Sequence, residues 1–276
     1  MIKRENFTLT GSKGRGILMD LTYNTAHKKA PLIIFVHGFK GFKDWGAYHL
    51  MADYFVQHGY RFLKFNFSYG GVVADNLREV TDMIAFSENT FSMEVDELNR
   101  VVDFACNGSS MPKTDHVYLI GHSMGGAMSI IQTAADKRVK KLVTMAAISG
   151  FRNLWDVKDE EQWKLQGIMY IENKRTGVMM PLKVSLLDDL NKHPNQLDVL
   201  AKAAHITQPW LIVHGDKDTS VGLNQAEELK KANPHARLSI IKGADHVFNA
   251  THPYPTNVLP PVLEDFCEQS VKFFDK

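Results

Sequence analysis

Cysteine is scarce in this 276-residue chain. Only Cys106 and Cys267 occur, far apart and in no metal-ligand spacing. That excludes a scaffold built on disulfides and leaves two buried free thiols as the expectation. Long apolar runs are missing too: none approaches the ~20 residues of a membrane span. The opening stretch, MIKRENFTLTGSKGRG, lacks the apolar core of a signal peptide. A cytoplasmic location with no membrane partner is therefore expected. Charge of one sign is not in excess, since 32 Lys and Arg stand against 31 Asp and Glu for a formal net charge of +1. Broad electrostatic attraction to nucleic acid is excluded on that ground. No internal repeat or low-complexity tract occurs. What is present, 44% hydrophobic and 23% charged residues, suits one large domain or a domain carrying an insertion.

Strand-like and helix-like stretches alternate along the chain. Residues 16–23 (GILMDLTY) read as an early strand, and the all-apolar run 32–36 (LIIFV) as a strand covered on both faces. Residues 47–58 read as a helix ending at Gly59, a residue suited to a C-cap. Residues 61–67 follow as a strand. Over 91–105, Val95, Leu98, Val101 and Val102 share one helical stripe. Residues 117–120, 141–146, 210–213 and 237–241 are further strands; 124–135, 225–232 and 262–274 are further helices. Such alternation predicts an α/β fold with a doubly wound, mainly parallel sheet.

The rhythm breaks once. Residues 146–210 are too many for a simple crossover. Within them, 151–166 reads as a helix carrying Trp155 and Trp163, and 168–182 as a hairpin turning at 173–177. Residues 186–204 read as helical, interrupted near Pro194. The expected organisation is a core of residues 1–150 and 206–276 with an inserted lid at 151–205. A lid must bury a small core of its own, which would use most of Trp155, Trp163, Met169, Tyr170, Met179 and Met180.

In a doubly wound sheet, sites form beyond the carboxyl ends of strands. Three chemically useful residues fall there: Ser123 in GHSMGG, Asp218 in HGDKDTSV and His246 in KGADHVF. Serine needs a base within hydrogen-bond reach, and that base needs a third group to hold its tautomer. Histidine titrates near neutrality and can take and return the proton. A G-x-S-x-G match alone is weak. Its position between a predicted strand and a predicted helix strengthens it, as does the chain order Ser, Asp, His.

With these motifs, and with FVHGF at 35–39 and PWLIVHGDKD at 209–218, the chain resembles the α/β-hydrolase superfamily along nearly its whole length. It looks most like the lidded carboxylesterases, including the cinnamoyl or feruloyl esterase group, and the acylaminoacyl-peptidase-like hydrolases. The resemblance implies a serine hydrolase without metal or cofactor, acting on a small-molecule ester and less often an amide. It also implies that the backbone N–H groups of Phe39 and Met124 form an oxyanion hole. The pattern His-Gly-x-x-Asp-x-x-Val favours Asp218 over Asp216, which then reads as a turn residue bonding its own backbone. One departure stands out: many members carry an Asp-x-x-Gly-x-Gly-type loop where this chain has Asn66-Phe67-Ser68-Tyr69-Gly70-Gly71.

Several residues have plainer readings. His252, in THPYP, is a competing base. His37 and His122 read as residues that hydrogen-bond locally. Gly38, Trp155, Trp163 and Tyr170 are candidate substrate contacts. Lys40, Lys43 and Asp44 read as a solvated loop, and residues 158–161 as a solvated helix face. A peptidase or acyltransferase would use the same three residues, and a ligand-binding protein of this fold with little turnover is the rival from another class. Aspartate-nucleophile chemistry is disfavoured because position 123 is serine.

Overall fold

The computed structural model describes residues 1–108 and 111–276. Its centre is an eight-stranded sheet in the order β1-β2-β4-β3-β5-β6-β9-β10. The strands are β1 (Ile2–Thr10), β2 (Gly16–Asn24), β3 (Leu32–Val36), β4 (Arg61–Asn66), β5 (Val117–His122), β6 (Val139–Met145), β9 (Trp210–Gly215) and β10 (Arg237–Ile241). β1 and β2 pair antiparallel, as do β2 and β4, and every other pairing is parallel. The mainly parallel sheet is therefore as expected, with one antiparallel edge.

The parallel strands are apolar on both faces because both faces are covered. Along β3, Leu32, Ile34 and Val36 join one buried cluster while Ile33 and Phe35 join the other. Helices α3 (Phe91–Asn107), α4 (Met124–Ala135) and α8 (Leu223–Ala232) supply the first cluster, through Leu98, Met128 and Leu229. Helices α1 (Tyr48–Gln57) and α9 (Pro261–Phe274) supply the second, through Phe55 and Phe266. The predicted stripe on α3 is buried at Leu98, Val101 and Val102 and only partly at Val95.

Between β6 and β9 lie α5 (Glu160–Gln166), a hairpin of β7 (Ile168–Asn173) and β8 (Val178–Lys183), α6 (Ser185–Lys192) and α7 (Val199–Ala204). The hairpin and the break near Pro194 are as predicted. The single helix over 151–166 is not. Asp156 caps a short 3-10 turn by accepting from the Lys158 N–H at 3.1 Å, and Trp155 is extended, so only the last seven residues are α-helical. Among the described residues, the buried side chains of the insertion join the main core rather than forming one of their own. Trp163, Met180, Leu182 and Leu187 belong to the same buried cluster as Leu119 and Met128.

Among the strands and α-helices, β1 and the five-residue α2 (Met83–Ser87) were not predicted. Two charged stretches were misjudged. Lys43 is buried at 4% exposure, with Lys64 and Asp20 buried beside it. Its ammonium lies 2.7 Å from Asp20 and also pairs with Asp44, and Lys64 lies 2.9 Å from Asp44. A closed ring of alternating charge replaces the expected solvated loop, because each ion lost from water gains opposite charges in return. Glu160 is likewise buried, accepting from Arg152 at 2.9 Å and Trp155 at 3.0 Å. Cys267 is buried, but Cys106 only partly so. Among the described residues no helix is long and apolar enough to cross a membrane.

Candidate active site

Ser123 stands where β5 ends and α4 begins, with φ 55° and ψ −122°. This backbone region is costly for a residue with a side chain and persists only where the surroundings enforce it. Here they do. A Cβ on Gly121 would lie 2.3 Å from the Gly125 carbonyl oxygen, and one on Gly125 would lie 2.2 Å from that of Val36. Strand, turn and helix can approach this closely only without side chains at those positions. The turn lifts Ser123 out of the strand, and the Ser123 N–H still donates to the Met145 carbonyl at 2.9 Å.

Residues from two later loops meet it. Ser123 Oγ lies 3.1 Å from His246 Nε2, and His246 Nδ1 lies 2.8 Å from Asp218 Oδ2. Asp218 follows β9 and its side chain is fully buried. Burial pushes its carboxyl up, but hydrogen bonds from His214 and His246, the His246 charge and the Val221 N–H together hold it well below the usual carboxylate range. An ionised carboxylate only accepts, so His246 carries its proton on Nδ1. Its Nε2 is then a bare lone pair, which receives the Ser123 O–H. The second oxygen of Asp218 accepts from the Ser220 and Val221 N–H groups at 2.9 and 2.8 Å.

The loop after β3 closes the other side. A Cβ on Gly38 would lie 2.9 Å from Ser123 Cβ, so the backbone leading into Phe39 runs directly against the serine. Neither the Phe39 nor the Met124 N–H finds an acceptor among the described residues. The Met124 amide opens α4, where the helix dipole favours negative charge. The Phe39 ring packs near Phe86 of α2 at 5.7 Å.

The competing residues sit elsewhere. Asp216 accepts from the Gly243 N–H at 2.6 Å, a bond to the loop after β10 rather than to its own turn. His252 accepts from Gly46 N–H at 2.8 Å and lies 3.0 Å from the Arg78 carbonyl. Both its nitrogens are thus engaged away from Ser123. His37 is buried against Phe67, with Nδ1 2.9 Å from the Gly38 carbonyl, and burial pushes it down to about 4. His122 does not bond locally. Its Nε2 lies 2.8 Å from the carbonyl of His246, 124 residues away.

Among the aromatic candidates, Trp163 is 1% exposed and donates to the Leu182 carbonyl at 2.9 Å. That bond and burial make it a packing residue of the insertion rather than a substrate contact. Trp155 donates to Glu160 and stacks toward Phe91. Tyr170 faces outward on β7, 56% exposed. One further residue escaped the sequence reading: His214, wholly buried in β9, lies 3.4 Å from Asp218 Oδ2 and 2.9 Å from the Val221 carbonyl. Its signal was its place four residues before Asp218. Among the described residues, no group of three or more His, Cys, Asp or Glu is arranged to hold a metal ion.

Sheet order, elbow and loop positions define an α/β-hydrolase architecture. The model of the alpha/beta hydrolase family matches residues 33–256, and the chain belongs to that family. A Mycoplasma genitalium protein named "Putative esterase/lipase 2" is 28% identical over 44% of this chain and 40% of its own length. A Bacillus subtilis protein named "Uncharacterized peptidase YuxL" is 25% identical over 58% of this chain and 23% of its own. The matched stretches thus take in less than half of either relative. Among solved structures, Est1E of Butyrivibrio proteoclasticus with bound ferulic acid superposes with a TM-score of 0.70 at 19% identity, covering 98% of this chain and 100% of that one. The structure of a protein from Agrobacterium vitis S4 named "Putative hydrolase" superposes with a TM-score of 0.72 at 18% identity, covering 99% of each chain. At such identities the likeness is one of fold.

Proposed function

We propose that the protein is a serine hydrolase cleaving carboxylic esters of small to medium acyl groups. The observation that carries this reading is the unbroken hydrogen-bonded chain from Ser123 through His246 to Asp218, beside two amides that find no acceptor among the described residues. His246 takes the Ser123 proton as Oγ attacks the ester carbonyl. The Phe39 and Met124 N–H groups hold the oxyanion, and each such donor contributes about 2.7–4 kcal/mol to the transition state. Protonated His246, stabilised by Asp218, gives its proton to the leaving alcohol. Water then repeats the sequence on the acyl-enzyme.

Residues 151–205 act as a lid in this reading. Two contacts support it: Lys40, in the loop that follows Phe39, donates to the Glu172 carbonyl at 3.0 Å, and Arg175 at the hairpin tip pairs with Glu79. The first ties the insertion to the loop that borders the serine, and the second ties it to the loop between β4 and α2. A fluorophosphonate probe should label the wild type, and p-nitrophenyl acetate should be turned over. Ser123→Ala should abolish both; turnover unchanged in that variant would sink the proposal. The match to a Bacillus protein named as a peptidase favours amide cleavage as a second reading. A panel of aminoacyl amides set against esters separates the two.

A further inference from the structure

We infer that His122 is a positioning residue: it ties the backbone of the base to the strand that presents the nucleophile. The inference rests on the ester-hydrolase reading above. His246 sits on the loop after β10, where Phe248 and Asn249 both have positive φ, 54° and 61°. Asp245 stabilises that loop from within, accepting from the Val247 and Asn249 N–H groups at 3.0 and 2.7 Å. Nothing in those bonds refers to Ser123. The bond that does is the one from His122 Nε2 to the His246 carbonyl, at 2.8 Å.

His122 is suited to the task by where it stands. It is the last residue of β5, paired with Met145 of β6, and it directly precedes Ser123. Its backbone is thus held in the middle of the sheet, and its ring reaches across to the base loop. The ring is 6% exposed and lies 4.9 Å, centroid to centroid, from the ring of His246. A carbonyl can only accept, so the Nε2 atom carries the proton and Nδ1 is bare. Nδ1 in turn lies 3.2 Å from the hydroxyl of Tyr48, itself buried in α1. The phenol donates to Nδ1 and locks the tautomer. A chain Tyr48–His122–His246 carbonyl therefore runs behind the chain Ser123–His246–Asp218, and both share His246.

The second chain must survive the moment when His246 becomes cationic. A neutral His122 does so without repulsion. Burial, and then the nearby His246 charge, push the His122 imidazole down to about 3. It stays neutral when His246 takes the proton. Reacting groups need placement to a fraction of an ångström, and a misplacement of about 1 Å can cost about 100-fold in rate.

The test uses the full-length protein with three variants. His122→Leu removes the donor at similar bulk. His122→Gln restores an N–H near the position of Nε2. Tyr48→Phe leaves Nδ1 unpartnered. With p-nitrophenyl acetate, His122→Leu should lower kcat by about 10- to 100-fold with KM changed less than about twofold. His122→Gln should recover a large part of the loss, and Tyr48→Phe should fall between. Nitrogen-15 shifts of the wild-type imidazoles should show His122 as the neutral, Nε2-protonated tautomer from pH 5 to 9. A His122→Leu variant with wild-type kcat overturns the inference while leaving the ester-hydrolase reading intact. So does a cationic or Nδ1-protonated His122, whatever the turnover. If His122→Gln loses as much kcat as His122→Leu, or if both keep the wild-type kcat and lose only thermal stability, the residue is structural and the inference fails. Turnover that survives Ser123→Ala overturns both readings, because His246 then has no nucleophile to serve.

Discussion

Replacing Asp218 by asparagine tests the site at its most constrained atom. Asn is nearly the same shape, so the fold should survive; what changes is which end donates. In wild type Oδ1 accepts two backbone N–H groups, from Ser220 and Val221. An amide NH2 there would face two donors and lose both bonds. The carboxamide oxygen must therefore take Oδ1's place, which turns the NH2 toward His246 Nδ1, where Oδ2 accepted at 2.8 Å. His246 must then present a bare Nδ1 and carry its proton on Nε2. In that tautomer it donates to Ser123 instead of accepting from it, and no base remains. The equivalent change in a serine protease lowers kcat by about 10,000-fold, or about 5.4 kcal/mol at 1.36 kcal/mol per tenfold. A loss of that order in p-nitrophenyl acetate turnover is expected, with circular dichroism unchanged. A loss of less than about tenfold in a properly folded variant would refute the assignment of the third group, and with it the tautomer argument.

Two further outcomes follow from the packing. Glu94 is 2% exposed, accepts from Asn89 at 2.5 Å through one oxygen and, among the described residues, has no partner for the other. Burial pushes its carboxyl up to about 8 from an ordinary 4.5. Between those two values only the folded state holds the proton, so stability falls as pH rises through that window. Glu94→Gln should melt like wild type near pH 4.5 and above wild type at pH 9; parallel melting curves at both pH values would count against it. Trp163→Ala should lower stability by about 3–5 kcal/mol while the remaining folded protein keeps its KM. Urea titration and steady-state kinetics measure the two separately, and a KM effect without a stability effect would return Trp163 to the substrate pocket.

Much of this organisation is visible in the chain itself, and the exceptions share a cause. β3, α4 and β10 begin and end where apolar pattern and glycine placement put them. The elbow is equally local, since strand, turn and helix occupy consecutive residues. β1 escaped because it is an edge strand: Phe7 and Leu9 pack inward while most of its other side chains are exposed, a weak alternation among charges. α2 has five residues, too few to display a helical period. The loop read as solvated around Lys43 and Asp44 gains its partners Asp20 and Lys64 from β2 and β4. His122 and His214 each read as one polar residue at a strand end until the fold brings Tyr48, His246 and Asp218 to them.

The order of strands and helices, the tight turn at Ser123 and the three residue types needed for the proposed chemistry follow from sequence alone. Periodicity, capping and glycine spacing are properties of neighbours along the chain, so no distant contact is required to express them. Which histidine braces His246, which aromatic packs and which charges are buried together were decided only in three dimensions. Those outcomes depend on hydrogen bonds and desolvation between residues up to 124 positions apart, and no local pattern encodes a distance across the sheet.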